Sequence, residues 1–458
     1  MDSNQRLALG FAPTRRKMYD AEFAYDNKRK IKGKIRTILA DVNVEIVDID
    51  WLNEEGLLIQ VEDVRKVEEH FKLAKVDALF MPHCNFGSEE VIGKLGKSMG
   101  KPFLLWGPRD EAPPPERSVR QTDTQCGLFA SSKALQRYGL PFTYIENCWI
   151  EDQAFEKGFM DFIRVASAVK AFKNMRVGQI SLRPKPFLSV MVNESELLEK
   201  FGIEVVPITE SEIISKTNEI LSSRVEGIRI LVSDIRGKMN CSAMNDEAMD
   251  KIAAVELAIM DLAKEHECNV MASECWRTFR QAFGIRPCFI FGDLIDRGLI
   301  VACETDINGA VTMAMLKAAS LGQDLPFLAD LTVRHPENEN AELLWHCGPF
   351  PQTLAKYPEQ RELIGFTGFW ELKGGDITVA RFDGCRGKYN LFAGLGQGVD
   401  GPSTNGNYVW LEVDDWVKWE KKFIYGPYIH HVACIHGDYT QIIEEACKYI
   451  GEVEIDLP

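Results

Sequence analysis

Acidic residues that could hold a metal ion are concentrated in the segment 302–330, which reads ACETDINGAVTMAMLKAASLGQDLPFLAD. The apolar run before it predicts a buried strand that ends at Glu304 and Asp306, and a helix is expected from about Gly309. A second short apolar run ends in Asp330. Because ligand sites gather at the C-terminal ends of parallel strands, these carboxylates are expected to share one edge of a parallel sheet.

Two interpretations of this acidic segment are open at this point. Paired carboxylates at a sheet edge can hold a hard divalent cation such as Mg²⁺ or Mn²⁺, which prefers oxygen ligands. The structural alternative is that Asp306 or Asn308 caps the following helix and that Asp330 simply ends a strand. Spacing alone does not choose between them.

The histidines are the second group of candidate ligands. The late segment GPYIHHVACIHGDY, residues 426–439, places His430 and His431 side by side in a strand-like run. Successive side chains of a strand point to opposite faces, so at most one of the two is expected to reach a given site. One histidine with two carboxylates is a workable ligand set for a catalytic Mn²⁺. His346 is either a ligand contact or a buried, hydrogen-bonded side chain.

The elements that must position these residues alternate between strand and helix. Short apolar runs at 42–50, 78–83 and 102–107 predict strands, and the segments 61–76 and 88–100 predict helices. Strands separated by helices at this spacing predict a parallel sheet covered by helices.

The same alternation begins again near Met175. Near residue 340 the sequence pattern changes to short strands and glycine turns. Such a change predicts a mostly antiparallel β domain. We therefore expect an N-terminal α/β domain (1–174), a second α/β domain carrying the acidic segment (175–338) and a C-terminal β-rich domain (339–458).

Five segments, in order along the chain, resemble motifs of the bacterial L-fucose isomerase family. They are NFGSE (85–89), SECW (273–276), CETDINGAVTM (303–313), FLAD (327–330) and IHHVACIHGDY (429–439). No single motif is specific, but their order and positions agree with the family. The chain thus resembles a distant, shorter relative within the L-fucose isomerase and L-arabinose isomerase superfamily.

The resemblance implies two Rossmann-like, doubly wound parallel-sheet domains followed by a β-barrel-like domain. It also implies a bound Mn²⁺, or another divalent cation such as Mg²⁺ or Co²⁺, with Glu304, Asp330 and His431 as ligands. Asp306 is then expected to support the loop rather than to bind the cation. A homo-oligomer, either a hexamer or a trimer, is a further implication.

The implied reaction interconverts an aldose and a ketose by moving a proton between C1 and C2 of a pentose or a 6-deoxyhexose. The cation polarises the carbonyl group, and Glu304 and Asp330 act as base and acid. For Trp276, whose apolar face suits a sugar, a place in the hydrophobic core is an equal alternative. The candidates for contact with the sugar are Arg16, Asn85, Trp276 and His346.

Composition limits the other function classes. The 458 residues include 53 basic and 68 acidic side chains, and the net charge of −15 disfavours a nucleic acid or an anionic membrane as partner. No stretch approaches the roughly 20 apolar residues of a membrane span, and no signal peptide begins the chain, so a cytoplasmic protein is expected. Twelve scattered cysteines without a CxxC pair predict reduced, mostly buried thiols.

Two alternative functions are compatible with the same features. Two α/β lobes also describe a non-catalytic sugar-binding protein, which would need no metal. A metal-assisted epimerase acting on a related sugar would use the same ligand set. Metal content separates the first alternative from an isomerase, and a substrate panel separates the second.

Overall fold

The structure, a computed structural model, describes residues 6–112 and 120–458. The chain divides into two compact units, residues 1–170 and 171–458. Two parallel sheets with helices are followed by a mixed, β-rich sheet, which confirms the predicted α/β class. None of the helices in the described part of the chain has the length and apolar character needed to cross a membrane.

The described part of the first unit contains a five-stranded parallel sheet. Its strands are β1 (Leu7–Phe11), β2 (Val44–Asp48), β3 (Ala78–Phe80), β4 (Phe103–Leu105) and β5 (Thr143–Tyr144). Its helices are α1 (Ala21–Ile38), α2 (Val64–Leu73), α3 (Glu89–Met99), α4 (Thr124–Arg137) and α5 (Gln153–Phe172). The strand order is β2-β1-β3-β4-β5. The predicted strands and helices of this region are present, whereas β1 was not predicted because its fully buried run LALGF has no alternation.

A four-stranded parallel sheet opens the second unit, all of whose residues are described. Its strands are β6 (Arg176–Ile180), β7 (Glu204–Ile208), β8 (Val270–Ser273) and β9 (Val301–Cys303), in the order β7-β6-β8-β9. Its helices are α6 (Glu194–Phe201), α7 (Glu210–Ser223), α8 (Val225–Lys238), α9 (Asp246–Glu265), α10 (Thr278–Phe283), α11 (Cys288–Asp296) and α12 (Ile307–Ala319). Side-chain capping fixes where several of these helices begin. For example, Thr209 and Glu212 form a capping box at the start of α7.

The rest of the second unit is a nine-stranded mixed sheet. Its strands are β10 (Phe327–Arg334), β11 (Ala341–His346), β12 (Glu362–Ile364), β13 (Thr367–Glu371), β14 (Gly375–Cys385), β15 (Lys388–Val399), β16 (Asn407–Glu412), β17 (His431–His436) and β18 (Val453–Asp456). Two helices, α13 (Trp416–Tyr425) and α14 (Thr440–Ile450), accompany them. Because β15 pairs with β14 and also with β16, the strands β16-β11-β10-β17-β14-β15 close into a barrel.

Helix α12 lies between the parallel sheet and the barrel. Its residues from Ile307 to Leu316 are all buried, and it packs against β6, β8 and β9 on one side and β14 and β17 on the other. A helix that is apolar on every side is stable only where every side is covered. The acidic turn that precedes α12 is therefore held between the two sheets.

The predicted position of Asp330 at the end of a parallel strand is wrong. The residue lies inside β10, which pairs antiparallel with β11 and β17 of the barrel. The run PFLAD continues into LTVR without a break, and an apolar run predicts a strand without specifying its partners. Glu304 and Asp330 consequently come from different sheets.

Candidate active site

Glu304 lies in a strained turn between β9 and α12. Glu304 and Thr305 both have left-handed backbone conformations, with φ angles of 60° and 59°. Such conformations cost an L-residue about 1–2 kcal/mol, and strained residues of this kind cluster at active sites. A hydrogen bond of 3.1 Å from the Thr305 N–H to the Ser273 carbonyl fixes the turn to the end of β8. The parallel sheet thus holds Glu304 in a geometry that an unsupported turn would not keep.

His431, the buried first residue of β17, lies among three carboxylates. Its Nδ1 is 3.0 Å from Oδ2 of Asp306, and its Nε2 is 3.1 Å from Oε2 of Glu304 and 3.5 Å from Oδ1 of Asp330. Asp330 is near because it lies directly opposite His431 in the β10–β17 pair. Strand register thus brings these two residues together.

Electrostatics at this cluster favour a positive charge. Burial alone would lower the pKa of His431, but its hydrogen bonds to Asp306 and Glu304 outweigh burial and raise the pKa to about 10. Burial alone would raise the pKa of Glu304, but the hydrogen bond and charge of His431 lower it below its ordinary value. The carboxylates therefore stabilise a cation beside them, whether a proton or a metal ion.

Asp306 is the buried N-cap residue of α12. It accepts a hydrogen bond of 2.9 Å from the Gly309 N–H and forms an ion pair with the buried Arg381. Burial would raise the pKa of Asp306, but the charge of Arg381 and the bond to His431 hold it well below its usual range. Asp306 meets Nδ1 of His431, the nitrogen that does not face Glu304 and Asp330, so it can orient the imidazole ring.

Three side chains offer possible metal-ligand atoms within 4.8 Å of one another: Asp330, His430 and His431. The prediction that only one of the two histidines reaches the site is wrong. His430 lies just before β17 rather than within it, so strand alternation does not separate the two rings, whose centroids are 4.5 Å apart. Glu304 lies outside this group of three, although its Oε2 faces the same nitrogen of His431.

The residues present fit a divalent cation. At this cluster two buried atoms have no hydrogen-bond partner among the described residues, Oδ1 of Asp330 and Nε2 of His346, and Nε2 of His431 has only the carboxylate contacts given above. A buried polar atom without a partner costs about 1–3 kcal/mol, which coordination to a cation would offset. A mixed carboxylate and imidazole donor set suits Mn²⁺ and related ions.

Trp276 follows the end of β8 and contacts the acidic turn. Its Nε1–H donates a hydrogen bond of 2.7 Å to Oε1 of Glu304, and the residue is 49% exposed. The alternative of a core position for Trp276 is therefore wrong. The buried Glu274 carboxylate shapes this segment, because it accepts the backbone N–H groups of Trp276 and Arg277 at 2.7 Å each. Glu274 was not among the predicted site residues.

His346 ends β11 and lies buried beside the same cluster, with its ring centroid 6.3 Å from that of His431. The Cys347 N–H donates a hydrogen bond of 2.8 Å to Nδ1 of His346. Burial would lower the pKa of His346, but the charge of Asp330 outweighs it and raises the pKa to about 9. Nε2 of His346 thus lies in the electrostatic field of the acidic cluster.

Phe187 packs on the cluster from the loop after β6 and was not predicted. Its ring centroid is 5.4 Å from Trp276, 5.6 Å from His431 and 5.8 Å from His430. The ring therefore packs against both histidines and Trp276. No sequence motif marks it, since the residue lies in an irregular loop.

The other two predicted sugar contacts belong to the first unit. The Arg16 N–H donates a hydrogen bond of 2.9 Å to Oδ1 of Asn85, and the Arg16 guanidinium lies 3.9 Å from the ring centroid of Phe86. Arg16 also lies 3.5 Å from Glu89. The loops after β1 and β3 thus bring Arg16 and Asn85 together, at the edge where parallel sheets bind ligands.

Comparison with known proteins gives matches over most of the chain. Residues 10–173 match the family described as fucose/sulfoquinovose isomerase, N-terminal domain. The sulfoquinovose isomerase of Priestia aryabhattai is 24% identical over 478 residues, which cover 98% of each chain. The sulfoquinovose isomerase of Alkalicoccus urumqiensis is 25% identical over 385 residues, which cover 81% of this chain and 83% of the relative.

The similarity to solved structures is too weak to support a shared fold. A solute binding protein of an ABC transporter from Bacillus halodurans C-125, with bound myo-inositol, is 12% identical and covers 70% of this chain and 91% of its own. Its TM-score of 0.17 is too low to support a shared fold.

Proposed function

We propose that this chain, a distant homologue of the sulfoquinovose isomerases over almost its full length and an enzyme of the sugar isomerase class, interconverts an aldose and a ketose with the help of a divalent cation. The observation that carries the proposal is the position of two carboxylates, Glu304 and Asp330, beside the same nitrogen of the buried His431. Each can reach a proton of a sugar bound between them, as acid–base catalysis requires.

Glu304, Asp330 and His431 are the proposed ligands of the cation, and Mn²⁺ is the proposed ion, with Mg²⁺ or Co²⁺ as alternatives. His430 is a further candidate ligand because it belongs to the group of three possible ligands. When bound, a divalent cation supplies Lewis-acid polarisation of the sugar oxygens.

The two oxygens of Glu304 have separate tasks in this proposal. Oε1 accepts the hydrogen bond from Trp276, which fixes the carboxylate plane, whereas Oε2 faces His431. Glu304 and Asp330 act as base and acid in moving the proton between C1 and C2. Phe187 and Trp276 keep bulk water from one side of the reacting groups, which strengthens the electrostatic interactions inside.

The proposed substrates are pentoses and 6-deoxyhexoses, with sulfoquinovose added because the similar proteins carry its name. Trp276 and His346 of the second unit are the proposed sugar contacts beside the cluster, whereas Arg16 and Asn85 of the first unit stay candidates from the sequence alone.

The test is metal content of the purified protein together with aldose–ketose conversion over this panel of sugars, with added Mn²⁺ and with a chelator. We expect turnover that the chelator removes and that Glu304→Gln lowers by at least about 10³-fold, because a general base and a ligand are lost together. Glu359→Gln, at an exposed glutamate, is the matched control and should keep full turnover.

Three results would contradict the proposal. Normal turnover by Glu304→Gln would remove Glu304 from the reaction. Sugar binding without conversion and without metal would indicate a non-catalytic binding protein. Conversion of one aldose into another, without ketose, would indicate an epimerase.

A further inference from the structure

Four cysteines lie close together near the candidate active site, and three of them adjoin a candidate site residue in the chain. Cys275 precedes Trp276, Cys303 precedes Glu304, and Cys347 follows His346, while Cys288 begins α11. They form one cluster: the sulfur atoms of Cys275 and Cys303 are 3.1 Å apart, those of Cys288 and Cys347 are 3.3 Å apart, and Cys347 also lies beside Cys303. All four are free thiols.

We propose that Cys288 and Cys347 are a reversible thiol–disulfide couple that responds to hydroperoxides. The four thiols differ in access: Cys275, Cys303 and Cys288 are buried, whereas Cys347 is half-buried. A small oxidant therefore reaches Cys347 first, and exposure is one of the two factors that select an oxidised cysteine. Cys288 is already in contact with it and is placed to resolve the oxidised sulfur.

The reaction needs one hydroperoxide molecule, here H₂O₂, and no other reactant. The Cys347 sulfur attacks one peroxide oxygen, the O–O bond breaks, and Cys347 becomes a sulfenic acid while one water leaves. The Cys288 sulfur then attacks the sulfenic sulfur, the S–O bond breaks, and a second water leaves. Two thiols lose two electrons and two protons, and peroxide is reduced to two water molecules.

The disulfide would change the site through His346, and this step depends on the proposed isomerase function. A disulfide needs its sulfur atoms at about 2.05 Å, so the pair must close by more than 1 Å. The backbone N–H of Cys347 holds Nδ1 of His346, so movement of Cys347 turns the imidazole that faces the acidic cluster. Displacement of about 1 Å in a catalytic constellation can lower turnover by as much as about 100-fold.

The experiment treats the full-length protein with H₂O₂, blocks the remaining thiols with an alkylating agent, and identifies linked peptides by mass spectrometry. We expect a peptide pair containing Cys288 and Cys347, and dithiothreitol should remove it. Turnover should fall about tenfold or more on oxidation and return on reduction. Cys288→Ser and Cys288→Ala should keep basal turnover and lose the reversible response, and Cys385→Ser, at an exposed cysteine, should behave as wild type.

Absence of the Cys288–Cys347 peptide pair, or a Cys303–Cys347 or Cys275–Cys303 pair in its place, would overturn the proposal. The same would follow if both Cys288 variants kept the reversible loss of turnover. The peptide measurement requires no enzyme activity, so failure of the disulfide proposal is distinguishable from failure of the proposed function.

Discussion

At the scale of single residues, the two ring nitrogens of His431 have different partners. Nδ1 faces the capping carboxylate Asp306, and Nε2 faces Glu304 and Asp330. A carboxylate on the far nitrogen of a ligating histidine fixes its tautomer and ring orientation. Arg381 in turn holds Asp306, so orientation at the candidate ligand depends on a buried chain of charges.

Asp306→Asn should weaken metal binding more than it disturbs the helix cap. The amide oxygen can still accept the Gly309 N–H, but the negative charge opposite His431 and Arg381 is lost. We expect Mn²⁺ affinity to fall about 10–100-fold, the usual effect of losing such an outer partner. Calorimetric titration of the variant and the wild type with Mn²⁺ measures this affinity.

The matched control for this variant is Asp415→Asn, which changes the cap of α13. Its Mn²⁺ affinity should equal that of the wild type. Equal affinities for Asp306→Asn and the wild type would show that Asp306 does not orient the ligand.

At the scale of elements, the candidate site combines residues from two different kinds of sheet. The parallel sheet supplies the turn with Glu304 and the loop with Trp276, and the barrel supplies Asp330, His346 and His431. Helix α12 joins them because it packs on both sheets. Substitutions in the barrel wall should therefore mainly lower the free energy of unfolding. They should alter the geometry of the site only where they shift β10, β11 or β17.

Glu342 on β11 makes the barrel sensitive to pH. The residue is only 4% exposed, and burial raises its pKa to about 7 against the opposing charge of Arg334. Since the unfolded chain ionises near 4.5, stability should fall as pH rises from about 4.5 to 7, by at most about 3 kcal/mol. Glu342→Gln should therefore be more stable than wild type at pH 8 and similar to it near pH 4.5.

Urea unfolding of both proteins at the two pH values measures this difference. Glu339→Gln, whose side chain is 95% exposed in the loop between β10 and β11, is the control and should show no pH-dependent difference. A Glu342→Gln effect of the same size at both pH values would show that ionisation is not its cause.

At the scale of the whole molecule, all proposed metal ligands lie in the second of the two compact units. A ligand present at 100 times its dissociation constant stabilises the state that binds it by about 2.7 kcal/mol. Added Mn²⁺ should therefore slow hydrogen exchange in peptides that cover 301–334 and 427–436. Peptides from 6–112 should change little.

Mass spectrometry of hydrogen–deuterium exchange, with and without Mn²⁺, measures this pattern. His431→Ala should lose the protection in both peptide groups. Equal protection throughout the chain would place the cation elsewhere. The homo-oligomer and the three-domain division at 174 and 338 stay predictions.

The sequence by itself determined the α/β class, most strands and helices, and the resemblance to the isomerase group. These depend on residue types and on periodicity among near neighbours, which a linear chain records directly. The acidic turn could be predicted in this way, since Glu304 and Asp306 lie where a run of apolar residues ends. The family resemblance then selected Glu304, Asp330 and His431 from a larger set of open candidates.

Only the tertiary structure decided how these residues meet. Asp330 faces His431 because of the register of two antiparallel strands, and Phe187 covers the cluster from a loop without any motif. The contact between Cys288 and Cys347 likewise joins the start of a helix to the end of a distant strand. Register and packing depend on contacts between segments far apart in the chain, and no local pattern of residues records them.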